Sequence, residues 1–197
     1  MVVFRRVVIS AAAFSLALVL ASCTSRTEPA SGMKARASAA GIGVPVSSAV
    51  QLSESAGSVD ALVKEALNAY AGSDTATLER MLITQQEFDN YLYPEFGRHY
   101  PAARDTGRQV REFIWNNHML SAAKAMRKSL RELGGQRMEL ISVNFKDGVK
   151  DFGSYKIHEG TEVKVRLNDG DDAEMMALGS IVEMNGRYKL LSYRDRE

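Results

Sequence analysis

Residues 155–193 read YKIHEGTEVKVRLNDGDDAEMMALGSIVEMNGRYKLLSY, and this stretch decides the fold class. Val163, Val165 and Leu167 alternate with Glu162, Lys164 and Arg166. That period of two puts one side of a strand against a core and the other in water. Asp169-Gly170 and Asn185-Gly186 interrupt the pattern where the backbone tolerates positive φ, a strong hairpin signal between strands. Three strands are therefore expected, at 155–167, 173–184 and 187–193, joined as an antiparallel meander. Residues 138–145 add one strand upstream, which makes four.

Working outward, 107–133 has the length and spacing of one long helix, closed by Gly134-Gly135 and capped by Asp105 or Thr106. Its apolar residues fall into two stripes. Val110, Phe113, Ile114 and Leu120 form one; Trp115, Met119, Ala122, Met126, Leu130 and Leu133 form the other, roughly 150° away at 100° per residue. A helix with two apolar sides is expected to be sandwiched, or to bend near residues 116–118. The preceding segment, 88–100, holds Phe88, Tyr91, Tyr93, Phe96 and Tyr100, punctuated by Pro94 and Gly97. It is expected to begin as a helical turn and end as a packed loop. Earlier still, Val59, Leu62, Val63, Ala66, Leu67 and Tyr70 mark one face of a helix, with Ser58 as N-cap and Gly72 as stop. A short second helix follows, capped by Ser73 or Asp74, with Leu78, Met81 and Leu82 on one face. Helices followed by antiparallel strands define an α+β domain over 58–197, with the N-terminal helices packed on a curved four-stranded sheet.

Residues 24–57 are dominated by Ser, Ala, Gly and Pro, and are expected to be a flexible linker. Such a coil reaches some 30 Å. Gly41-Ile42-Gly43 lacks the strand, third glycine and helix of a phosphate loop. At the N-terminus, Arg5 and Arg6 precede an apolar run over 7–21, the pattern of a secretory signal and shorter than a membrane span. Leu20-Ala21-Ser22-Cys23 resembles the lipobox of bacterial lipoproteins. The resemblance implies a signal peptide over 1–22, cleavage between Ser22 and Cys23, and lipid on Cys23. An ordinary signal peptide with a chance cysteine is the alternative. Cys23 is the only cysteine, so no disulfide partner competes for it. Thr24 stands where Asp would imply inner-membrane retention, so the resemblance places the chain in the cell envelope, on the outer membrane where there are two membranes.

Of 25 Lys and Arg, Arg5 and Arg6 precede Cys23, which leaves 23 basic against 24 acidic residues and a net charge of −1. That balance argues against nucleic acid as a partner. Residues 69–82 and 182–190 are similar to the opening helix pair and closing hairpin of the NTF2-like superfamily of cone-shaped α+β domains. Residues 91–145 resemble a group of uncharacterised bacterial lipoproteins. A cystatin-like sheet packed on one helix is the alternative fold.

Candidate chemistry is sparse. His99, His118 and His158 have spacings that fit no HExxH or close ligand pair, so no metal and no cofactor are expected. Asn168-Asp169-Gly170-Asp171-Asp172 lacks the ligand spacing and distal Glu of a calcium loop and reads as a hairpin turn. No Ser lies in a G-x-S-x-G turn. The NTF2-like resemblance implies a cone interior that would gather Tyr91, Tyr93, Tyr100 and Trp115, with His99 or His118 nearby, against the plainer reading that these rings fill a core. The leading expectation is a non-catalytic envelope protein, held to the membrane through Cys23, that binds a small apolar ligand, a peptide or another envelope protein. A small enzyme using His with Tyr or Asp in the cone competes with it. A structural subunit would instead show a closed core and an exposed apolar patch.

Overall fold

A computed structural model of the chain describes residues 51–100 and 107–194. Cys23, the signal segment and most of the expected linker lie outside these residues. Helix α1 spans Val59–Ala71. The Ser58 hydroxyl accepts from the Ala61 N–H at 3.1 Å, and the Gly72 N–H donates to the Asn68 carbonyl. Helix α2 spans Thr75–Arg80 and starts at Asp74, whose carboxylate accepts from the Thr77 N–H (3.0 Å) and hydroxyl (2.6 Å). Those two bonds hold the Asp74 carboxyl below the usual range.

The next segment differs from expectation. Helix α3, Gln85–Glu87, runs through a π-helical turn, Phe88–Leu92, into helix α4, Tyr93–His99, so the helical start expected for 88–100 is present but continues to 99 where a packed loop was expected. Pro94 does not break it because it falls just after the π turn, in the first turn of α4. A proline is tolerated in a helix's first turn because its φ already suits the helix.

The long helix, α5, spans Arg108–Leu133. Only one of its two apolar stripes is inside. Trp115, Ala122 and Met126 are buried and Met119, Leu130 and Leu133 partly so, whereas Val110, Phe113, Ile114 and Leu120 are exposed. The sandwiched helix is thus corrected: packed elements cover one side alone. Among the described residues no helix is long and apolar enough to cross a membrane.

An antiparallel five-stranded sheet follows: β1 Met138–Asp151, β2 Lys156–Leu167, β3 Asp172–Met175, β4 Ile181–Met184 and β5 Arg187–Leu190, in the order β1-β2-β4-β5 with β3 also on β2. The expected four strands become five because the third is interrupted. Its first part pairs with Val163–Arg166 and its second with Lys156–His158. Between them the chain leaves the β2 ladder and bonds to the segment after β5: Gly179 N–H to Ser192 O at 3.0 Å, Arg194 N–H to Ala177 O at 2.9 Å. Gly179 is required there, since a Cβ would lie 2.2 Å from the Ser192 hydroxyl. Strand β1 runs past the expected end at 145 because, after a register shift between Phe145 and Gly148, its extension pairs Gly148–Asp151 with Lys156–Glu159, and Val149 alone in that extension is too little to show an alternation. Asn185 and Gly186, at φ 52° and 71°, make the β4–β5 turn as read.

The core has two parts. Ala66, Tyr70, Met126, Val163, Ile181 and Leu190 belong to the larger, between α1, α5 and the sheet. Leu52, Ile83, Leu92, Trp115, Phe152, Tyr155, Val182 and Met184 form the smaller. Ile181 and Val182, adjacent in β4, enter different parts, so the sheet is buried on both faces there. Residues 52–57, read by composition as linker, are built into this domain. Leu52 is buried, Ala56 exchanges backbone bonds with Tyr188, and Ser53 bonds to Glu87. Small residues were mistaken for a coil because backbone pairing and one side-chain anchor, rather than an apolar pattern, hold them.

Candidate functional site

The π turn and α4 point Phe88, Leu92, Tyr93 and Phe96 toward Ile114 and His118 of α5. Tyr155, Ile157 and Leu191 close the far side. These nine residues line a cleft of about 190 Å³ with an almost wholly apolar wall. That volume suits one or two apolar side chains or a short acyl segment and falls below the range of sites for drug-sized ligands.

Beside the Tyr93 hydroxyl, the wall carries the polar groups of His118 and Tyr155, both bonded to backbone. His118 Nε2 lies 2.6 Å from the Leu191 carbonyl. Since a carbonyl only accepts, Nε2 carries the hydrogen and the imidazole bridges α5 to the segment after β5. The Tyr155 hydroxyl donates to the Leu92 carbonyl at 3.1 Å. Burial, with smaller contributions from Glu95 and Tyr100, pushes its phenol above the ordinary range.

Of the six residues singled out by sequence, Tyr93 and His118 line the cleft. Trp115 stands behind it, buried, its ring 5.3 Å from that of Phe88. The expectation that Trp115 forms the wall is corrected, because Phe88 of the unforeseen π turn takes that place. Tyr100 is 46 % exposed and its ring packs, tilted, against that of Phe96 at 4.5 Å. His99 packs edge-on against Phe152 at 5.2 Å, and Tyr91 faces a separate depression with Arg98 and Met184. The six do not converge. Sequence reasoning missed Phe152 and Tyr155, which stack at 4.8 Å and bring the β1–β2 turn up to α4. The aromatics flanking Gly153-Ser154 were the available signal.

A second feature was also missed. Glu87 and Lys189 form a buried ion pair, 3.0 Å apart, with side chains 5 % and 1 % exposed. The Glu87 carboxylate also accepts from the Thr84 N–H (2.7 Å), the Ser53 N–H (2.7 Å) and the Ser53 hydroxyl (2.9 Å). Burial raises its pKa, but these bonds together with Lys189 outweigh burial and hold it below the usual range. Thr84-x-x-Glu87 is a readable capping box, and the structure completes both halves of it. Lys189, opposite Val182 in the sheet, gives no sign in sequence of where its charge goes.

Elsewhere, His158 contacts Glu183 at 2.8 Å on the sheet, away from the cleft. The acidic stretch at 168–172 is the turn expected. Asp169 accepts from the Asp171 N–H, and Asp172 pairs with Lys164 and Arg166. Among the described residues no three His, Cys, Asp or Glu side chains gather as a metal site. Comparison with protein-family models, with curated proteins and with solved structures finds no match to this chain.

Proposed function

We propose that this chain is a lipid-anchored lipoprotein of the cell envelope, with an NTF2-like domain that holds an apolar group in the cleft between α4, α5 and the sheet and performs no chemistry on it. The cleft itself carries this reading: its wall is almost wholly apolar, and its His118 and Tyr155 are bonded to backbone carbonyls. A group committed to bridging two segments is poorly placed to move a proton. The order of helices before an antiparallel sheet supports the NTF2-like assignment, and the lipobox at 20–23 supports the anchor.

Two measurements test the proposal. Mass spectrometry of the chain purified from membranes should find an N-terminus at Cys23 with added acyl mass; an unmodified or different N-terminus would sink the anchor. A dansyl-labelled fatty acid should quench Trp115, the only tryptophan, by energy transfer. Ile114→Phe and Phe96→Ala, both at the partly exposed rim and neither adding a tryptophan, should change that binding while leaving the far-UV spectrum intact. Binding indifferent to both substitutions would place the probe elsewhere.

A further inference from the structure

The outer strands of the sheet end differently. Strand β5 is closed on its outer side: Ala56 exchanges backbone bonds with Tyr188, the Ile83 N–H donates to the Leu190 carbonyl, and the Leu190 N–H donates to that of Met81. Strand β3 leaves an outer side of four residues, two of them acidic, Asp172 and Glu174. Strand β1 is fourteen residues long, and among the described residues its backbone bonds to no backbone other than that of β2. Its outer row of N–H and C=O groups is a template for another strand. Register shifts between Leu140 and Ser142 and between Phe145 and Gly148 limit that template to the middle of β1. There Leu140, Val143 and Phe145 pack against the larger core, so Ser142 and Asn144 turn to the other side of the sheet. Ile141, inside the first shift, has no opposite residue on β2 and is 39 % exposed.

We propose that β1 pairs edge to edge with β1 of a second copy, antiparallel, about a two-fold axis at Val143. The axis must fall on a residue, because an axis between two residues would set inward side chains opposite outward ones. With the axis on Val143, that residue faces its own copy, Ser142 faces Asn144, and Ile141 faces Phe145. One step past the extra residue of the bulge, Glu139 meets Lys146. Apolar residues thus meet apolar ones, and a carboxylate meets an ammonium at both ends of the paired run. An axis on Asn144 would instead set Ile141 against Asp147, Lys146 against Ser142 and Glu139 against Gly148. Lys146 already stands 3.9 Å from Glu162, but its side chain is 65 % exposed and its three donors leave room for a second carboxylate. Self-pairing also stops at two copies: once β1 is covered, the closed β5 offers no edge from which to continue. A peptide of another protein would have to supply this complementarity, whereas a second copy carries it. The inference is independent of the cleft and of lipid on Cys23.

The full chain carrying Cys23→Ser, which then has no cysteine, should sediment as a dimer that dissociates on dilution. Glu139→Lys sets like charges across the axis twice and should raise the dissociation constant on the order of tenfold. Adding Lys146→Glu should restore it, a rescue that damage to the fold would not allow. The register is read by mixing two variants of the Cys23→Ser chain. Ser142→Cys and Asn144→Cys chains together, under mild oxidation, should give more disulfide-linked dimer than either alone, because directly opposite residues lie near enough for the bond. Asp169→Cys, in the β2–β3 turn, should cross-link to neither. Three outcomes overturn the proposal: a chain that stays monomeric at every concentration, including one that binds an extended peptide instead; a dimer indifferent to Glu139→Lys or not restored by Lys146→Glu; or Asp169→Cys cross-linking as readily as the mixed pair.

Discussion

Replacing Lys189 by methionine keeps the reach of a buried side chain and removes its charge. In the native chain Lys189 donates to Glu87 at 3.0 Å, and three further donors from Thr84 and Ser53 complete the carboxylate's shell. Lys189→Met leaves an anion that is 5 % exposed without its cation. Breaking one side of a buried pair costs about 3–5 kcal/mol, about a fifth or more of the roughly 5–15 kcal/mol that stabilises a domain. The pH dependence gives a sharper signature. The native Glu87 carboxyl is held below its unfolded value, so its contribution is present above that value, near 4.3 for a free Glu, and is lost as pH falls through the folded pKa. Without Lys189 one of the influences opposing burial is gone, the folded pKa rises relative to the native one, and less stability should be lost on acidification below the free-Glu range. Urea denaturation followed by far-UV circular dichroism across that range measures both effects. Glu87→Gln combined with Lys189→Met should cost less than the sum of the two single changes, because no charge is then left alone. A loss below about 1 kcal/mol for Lys189→Met, with an unaltered pH slope, would refute the reasoning: the pair would then be open to water.

Three other outcomes follow from packing and turns. Met126→Ala, at a fully buried position, should cost about 2–5 kcal/mol in chemical denaturation, while Leu130→Ala, on the same stripe but half-buried, should cost about 1–2. Brief proteolysis should leave a resistant fragment that begins ahead of Leu52, because Ser53 and Ala56 are bonded into the domain; rapid cutting between 52 and 58 would contradict that anchoring. Gly186→Ala, at φ 71°, should lower the thermal midpoint through about 1–2 kcal/mol of left-handed strain, whereas Gly107→Ala, with open space at its Cβ, should change little.

Local signals in the sequence were sufficient wherever the cause was local. Ser58 and Asp74 cap their helices, Asn185-Gly186 makes its turn, and Val163 and Val165 alternate into the core, because each depends on residues a few places away. These features determine the order of elements and the α+β class. The third strand could not be read as two, since its break depends on Gly179 meeting Ser192, thirteen residues on in the chain and adjacent only when folded. Nor could periodicity say which stripe of α5 faces inward: both are apolar, and the position of α1 and the sheet decides that Met126 is buried and Leu120 exposed. The same holds for the cleft. Aromatic content marked 88–100 as unusual, but the π turn that rotates Phe88 into the wall and sets Trp115 behind it follows from packing against Tyr155 and Ile157, more than sixty residues away. A charge is the extreme case: nothing beside Lys189 in the chain indicates that it is buried, because its partner, Glu87, lies 102 residues distant and meets it only across the finished fold.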